Sequence, residues 1–237
     1  MFVVHYGPEK LQEIKVFHYD PSVKHSIVCI HGGAWRDPLN TYNDWETLAS
    51  MANEKAVNVF GVNYRLSPEV KHPTHLKDVN AALEMIIRDY PSENLGLVGH
   101  SVGATIALQM LDFENITGLP TQVNVNKVYL LDGIYDIPDL VLEYPSYISF
   151  VGEAFSSDTE WRQATQVTNG SDISQLDIVI IYSEDDELLS ERQTLKLMAV
   201  LDKQNVTYKY HHGHWGKHEE MYRNPSVCNM IIKNSIE

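Results

Sequence analysis

The sequence predicts an α/β fold: a mostly parallel central sheet with helices on both faces and a small helical cap. Three observations predict it. Short apolar runs alternate with segments of helical spacing over most of the 237 residues, the pattern of a parallel sheet covered on both sides. The stretch Leu95 to Leu108 reads as strand, tight turn and helix, with Gly99-His100-Ser101-Val102-Gly103 at the turn. The rhythm then breaks between Asp132 and Ile173, where Tyr135, Tyr144, Tyr147, Phe150, Phe155 and Trp161 accumulate and Pro138 and Pro145 interrupt. One domain, 1–237, is expected, with the cap inserted at about 133–173.

In chain order, residues 1–20 alternate in places, as strands do, until Asp20-Pro21-Ser22 breaks the pattern. Ser26 to Ile30 is a buried-strand run leading into His31-Gly32-Gly33-Ala34-Trp35. Residues 43 to 55 place Trp45, Leu48, Ala49 and Ala52 at helical spacing. Val57 to Val62 is a strand and His75 to Arg88 a helix with Leu76, Val79, Leu83 and Ile86 on one side. After the Ser101 turn come strands at Val125 to Leu131 and Ile178 to Ser183, a helix at Glu191 to Lys203, a strand at Thr207 to His211 and a last helix at Glu219 to Lys233.

Composition narrows the partners. The formal net charge is −14, which argues against nucleic acid or an anionic membrane as the main partner. Two distant cysteines, Cys29 and Cys228, form no CxxC pair, so a reducing, cytoplasmic compartment is expected. The start, Met1 to Pro8, lacks a basic region, and no stretch has the length of a membrane span.

Gly99-His100-Ser101-Val102-Gly103 fits G-x-S-x-G, the pattern of a serine nucleophile at a strained strand-to-helix corner. A side chain at Gly99 or Gly103 would meet the crossing backbone, so both flanks take the smallest residue. A serine hydroxyl needs a base, an orienting acid and donors for the developing oxyanion. The glycines of His31-Gly32-Gly33-Ala34-Trp35 let a loop turn its amides inward, so the N–H groups of Gly33, Ala34 and Val102 are the expected donors. His31 is expected to brace this loop, and His100 to pack away from the cleft. The acid belongs after the strand at Ile178 to Ser183, where Asp186 is the choice and Asp185 the runner-up. The base belongs after the last strand. His211, His212, His214 and His218 all qualify by position; His218 is the choice and His214 second. Such a histidine cluster can hold a metal, but no carboxylate or cysteine pattern completes a site, so neither metal nor cofactor is expected.

His31 to Trp35, Tyr64-Arg65-Leu66-Ser67-Pro68, Val98 to Thr105, Leu130 to Tyr135 with Glu143-Tyr144-Pro145, Asp186-Glu187-Leu188-Leu189 and Arg192-Gln193-Thr194 together resemble fungal kynurenine formamidase over residues 26–233. The resemblance implies an α/β-hydrolase fold and cleavage of N-formyl-L-kynurenine to formate and L-kynurenine, in tryptophan breakdown toward NAD. It carries the triad over as Ser101, Asp186 and His218, and the HGGxW motif as His31, Gly32, Gly33, Ala34 and Trp35. It also implies a homodimer. The acid loop, Tyr182-Ser183-Glu184-Asp185-Asp186, holds one more acidic residue than the family pattern, which keeps Asp185 open as the acid.

The aryl ring of such a substrate needs an apolar pocket, for which Trp35 and the cap tyrosines, Tyr135 first, are the candidates. Two other readings stand beside this one. A short-acyl carboxylesterase of the hormone-sensitive-lipase type shares the serine turn and the glycine loop. A binding protein without catalysis on the same fold would ordinarily lack a triad member.

Overall fold

The computed structural model describes residues 1–53, 55–165 and 176–236. Eight strands form one sheet: β1 (Phe2–His5), β2 (Glu13–His18), β3 (His25–Ile30), β4 (Asn58–Val62), β5 (Asn94–His100), β6 (Lys127–Leu131), β7 (Asp177–Ser183) and β8 (Tyr208–Gly213). Their order is β1-β2-β4-β3-β5-β6-β7-β8. β1 and β2 pair antiparallel, β2 runs antiparallel to β4, and β4, β3, β5, β6, β7 and β8 are mutually parallel. The alternation in residues 1–20 is thus an antiparallel hairpin added to a parallel sheet.

The period of two in the strands sorts side chains onto two faces. Val28 and Ile30 of β3, with Ile178 and Ile180 of β7, join one apolar cluster, whereas Ile27, Cys29, Val179 and Ile181 join the other. The first face is covered by α2 (Thr74–Asp89) and α3 (Val102–Gln109), the second by α1 (Glu46–Ala52). The short α4 (Phe113–Thr117) follows α3 and ends at Gly118, in the left-handed conformation that a helix C-terminus favours.

Between β6 and β7 lie α5 (Ile137–Glu143), α6 (Ile148–Ala154) and α7 (Asp158–Ala164). They occupy the stretch expected to form the cap; its end, 166–173, falls outside the described residues. Their apolar side, including Leu140, Val151 and Phe155, packs on the first cluster. Polar ties fasten this segment to α8 (Arg192–Lys203). Gln193 accepts from the backbone N–H groups of Tyr135 and Asp136, both at 2.9 Å. Arg192 grips the largely buried Asp139 with two bonds of 2.5 and 2.7 Å, the forked geometry that makes Arg–carboxylate pairs strong.

Two helices differ from expectation. Residues 43–55 begin as a 3-10 turn at Tyr42–Trp45 before α1 starts, because Thr41 and Asp44 cap each other there. The expected helix 219–233 is divided into a 3-10 turn, Met221–Arg223, and α9 (Pro225–Ile236), which covers the second face. Proline has no N–H to donate inside a helix, so Pro225 opens one instead. Among the described residues no helix is long and apolar enough to cross a membrane.

Candidate active site

The parallel strands deliver their C-terminal ends to one edge of the sheet, where ligands bind in open α/β folds. β5 ends at His100, and Ser101 follows with φ 56° and ψ −124° before α3 begins. A non-glycine residue held there costs about 1–3 kcal/mol, and such strain collects at functional sites. The Ser101 N–H donates to Leu131 O at 2.9 Å, which pins the corner to β6. A Cβ at Gly99 would stand 2.2 Å from Gly103 O, and one at Gly103 would stand 2.2 Å from Ile30 O. Both contacts are with backbone, which cannot step aside, so glycine is required at both positions.

The loop after β3 holds three successive left-handed residues: Gly33 (φ 90°), Ala34 (φ 49°) and Trp35 (φ 59°). Gly33 O accepts from the N–H groups of Arg36 and Asp37, at 2.9 and 2.8 Å, closing the turn. The Tyr64 hydroxyl donates to His31 O and Gly32 O, and its ring stacks on His31 at 4.4 Å between centroids. His31 therefore belongs to the packing beneath the loop. Gly33 and Ala34 line the same cavity as Ser101, and Val102 is the first residue of α3.

Burial pushes the imidazoles of His31 and His75 down to about 4. His75 Nε2 lies 3.1 Å from the Ser67 hydroxyl. Each imidazole is neutral in the folded chain between about pH 4 and 6.5, whereas the unfolded chain binds a proton there. Stability is therefore full above the unfolded value of 6.5, falls as the pH drops, and levels off below about 4. Each residue contributes about 3 kcal/mol to that loss, against a total of about 5–15 kcal/mol for a typical protein. The expected result is a steep fall in the urea midpoint between pH 7 and pH 5. Equal midpoints would contradict the buried neutral imidazoles.

The acidic loop after β7 and the histidines after β8 pair off by depth. Asp186, with a fully buried side chain, places Oδ2 2.6 Å from Nδ1 of the buried His218. Its Oδ1 accepts from the N–H groups of Leu188 and Leu189 at 2.8 and 2.9 Å. Asp185 instead faces outward and meets the exposed His214 at 2.8 Å, while Glu184 meets His212 at 2.7 Å. Hydrogen bonding to His214 lowers the Asp185 carboxyl and, reciprocally, raises His214. Because an ionised carboxylate only accepts, Nδ1 of His218 carries the proton and Nε2 is left as the basic nitrogen. The buried His100 lies 4.5 Å from the His218 ring and 4.6 Å from that of Tyr222. Burial first, then His218, holds its pKa far below the ordinary histidine range.

Ser101 and His218 line one cavity of about 300 Å³, together with Gly33 and Ala34. Its apolar wall is Ile134, Tyr147, Phe150, Leu188 and Leu189, and its polar rim is Arg36, Asp37, Asn40 and Glu219. Neither Trp35 nor Tyr135 is among these. Trp35 is 1 % exposed and lies behind the wall, edge-on to Phe155 at 5.1 Å and 6.1 Å from Phe150, whose own ring does face the cavity. Tyr135 is 4 % exposed and packed so closely on Gly133 that a Cβ there would meet its ring at 2.4 Å. The sequence signal for Tyr147 and Phe150 was the aromatic content of the cap. Nothing local marks Asn40 or Glu219, which lie far apart in sequence and meet at 3.1 Å.

Residues 27–220 match the family model of the α/β hydrolase fold. Among solved structures, esterase B of Lactobacillus rhamnosus superposes with a TM-score of 0.80 at 18% identity, over 98% of this chain and 82% of that one. At that identity the likeness is one of fold. Two curated relatives are nearer in sequence. The kynurenine formamidase of Meyerozyma guilliermondii is 46% identical over 95% of this chain and 90% of its own length. The kynurenine formamidase of Saccharomyces cerevisiae is 33% identical over 90% and 89%. With identity of this order over nearly the whole length of both chains, the protein belongs to the kynurenine formamidase family, within the α/β hydrolases.

Proposed function

We propose that this chain hydrolyses N-formyl-L-kynurenine to formate and L-kynurenine, with Ser101 as nucleophile, His218 as base and then acid, and Asp186 as the group that orients His218. The observation that carries the reading is a strained serine sharing one cavity with a histidine whose far nitrogen is held by a buried carboxylate. Ser101 Oγ attacks the formyl carbon as its proton passes to Nε2 of His218. The N–H groups of Gly33, Ala34 and Val102 receive the oxyanion, each worth about 3 kcal/mol in the transition state. His218 then protonates the departing aryl amine, the C–N bond breaks, and a formyl-serine remains. Water, deprotonated by His218, releases formate and restores the serine.

The cavity suits this substrate. Formyl is the smallest acyl group, so little room is needed beyond Ser101. Tyr147, Phe150 and Leu188 offer an apolar surface to the aryl ring, and a rim bearing Arg36, Asp37 and Glu219 offers both charges to an amino acid's zwitterionic end. The buried free thiols Cys29 and Cys228 accord with a cytoplasmic enzyme, and a homodimer follows from the family resemblance.

The deciding experiment compares kcat/KM for N-formyl-L-kynurenine and p-nitrophenyl acetate. A clear preference for the formamide is expected. A preference for the ester by several orders of magnitude would replace this reading with the short-acyl esterase.

A further inference from the structure

We propose that Asp132 is a neutral carboxylic acid whose proton is donated to Asp186, making it a positioning residue that leaves one negative charge, not two, beside His218. The inference rests on the reading of Asp186 and His218 as orienting acid and base.

Asp132 is the first residue after β6, in the left-handed region at φ 40°. Its N–H donates to Ile181 O at 3.1 Å, and its Oδ1 accepts from the Ser183 N–H at 2.9 Å. These bonds pin the carboxyl between the ends of β6 and β7, where it is 2 % exposed. Taken as a carboxylate, it leaves Oδ2 buried with no hydrogen-bond partner among the described residues, an arrangement that costs stability. The Asp186 carboxyl lies beside it: Asp186 Oδ2 is 2.6 Å from His218 Nδ1, an imidazole nitrogen of His218 is within 4.8 Å of an Asp132 oxygen, and the two carboxyls interact directly. Two acceptors cannot bond each other, and two buried carboxylates in contact cannot both stay ionised. One proton between them removes both difficulties.

The proton's location follows from the donors each partner already has. Asp186 faces three: the N–H groups of Leu188 and Leu189, and Nδ1 of His218. Among the described residues Asp132 has one, the Ser183 N–H. The better-solvated charge is that of Asp186, so Asp132 Oδ2 carries the hydrogen and Asp186 accepts it.

The other titratable groups around Asp132 agree with this. From β5 and from the loop before α9, the imidazole nitrogens of His100 and His218 lie within 4.8 Å of an Asp132 oxygen and of each other. From β7 comes Tyr182, and from its own segment Tyr135, both interacting with Asp132 and both raised chiefly by burial. Neither tyrosine offers positive charge to an ionised Asp132. Burial, then the charge of Asp186, pushes the Asp132 carboxyl well above the ordinary carboxylate range.

The test uses Asp132→Leu, which removes the donor, and Asp132→Asn, which puts an amide donor in its place without charge. In the Leu variant kcat on N-formyl-L-kynurenine is expected to fall by about 10- to 100-fold with KM little changed; the Asn variant recovers most of it. The acidic limb of the kcat/KM profile stays at its wild-type pH in the Asn variant, because one neutral group replaces another. In the resting protein at neutral pH, the infrared difference between wild type and Asp132→Asn contains the carbonyl band of a protonated carboxyl, shifted by deuteration.

Absence of that band overturns the proposal. So does an acidic limb that moves down by about one pH unit in the Asn variant, the signature of a removed charge. Should wild type fail to cleave the formamide, the functional reading fails, while the infrared band still decides where the proton lies. The same holds if Asp132→Leu does not fold, since the Asn variant carries both remaining readouts.

Discussion

Ser101→Ala is expected to lower kcat on N-formyl-L-kynurenine by about 10⁴-fold or more while leaving KM and thermal stability close to wild type. The change removes one oxygen atom. It keeps the Cβ that already occupies the left-handed corner at φ 56°, so it adds no backbone strain. It also keeps the Ser101 N–H bond to Leu131 O, and with it the link between β5 and β6. What is lost is the atom that forms the covalent intermediate. Residual turnover would come from the loop amides of Gly33 and Ala34 and from binding alone. Single-turnover kinetics with calorimetry on the same sample checks both halves. A loss below about tenfold would mean that Ser101 is not the nucleophile.

The second large effect separates two neighbouring acids. Asp186→Asn is expected to cost about 10⁴-fold in kcat, because an amide NH₂ opposite Nδ1 favours the imidazole tautomer with its proton on Nε2, where the base must be free. Asp185→Asn is expected to leave kcat unchanged, since its carboxyl points outward to His214, whose side chain is 74% exposed. Exposed ion pairs of this kind contribute little. Measuring both variants on one substrate gives the comparison directly. Equal losses, or the larger loss at Asp185, would reassign the orienting acid.

Much of the architecture was legible because its causes are local. The strand at Ile178 to Ser183 is an unbroken apolar run, as a strand buried on both faces should be, and it appears as β7 almost residue for residue. The serine corner was legible because glycines two residues either side of Ser101, Gly99 and Gly103, answer to two backbone collisions. Helix boundaries were less legible where capping or proline competed with spacing, as at Thr41 and Pro225. The pocket was less legible still. Trp35 follows the glycine loop directly, and Tyr135 stands in the family-like Leu131 to Tyr135 segment, yet both pack into the interior. The ring that reaches the cavity beside Trp35 is Phe150, more than a hundred residues away.

The sequence by itself determined the fold class, the strained serine corner and the glycine loop, since each depends on residues within a few positions of one another. Tertiary structure alone decided which acid meets which histidine. Glu184, Asp185 and Asp186 follow one strand; His212, His214 and His218 belong to the next strand and the loop after it. The parallel register of β7 on β8, Tyr182 opposite His212 and Ser183 opposite Gly213, brings the two segments together. Of these six side chains Asp186 and His218 are the buried pair, with the Leu188 and Leu189 amides donating to Asp186, while Glu184–His212 and Asp185–His214 pair at the surface.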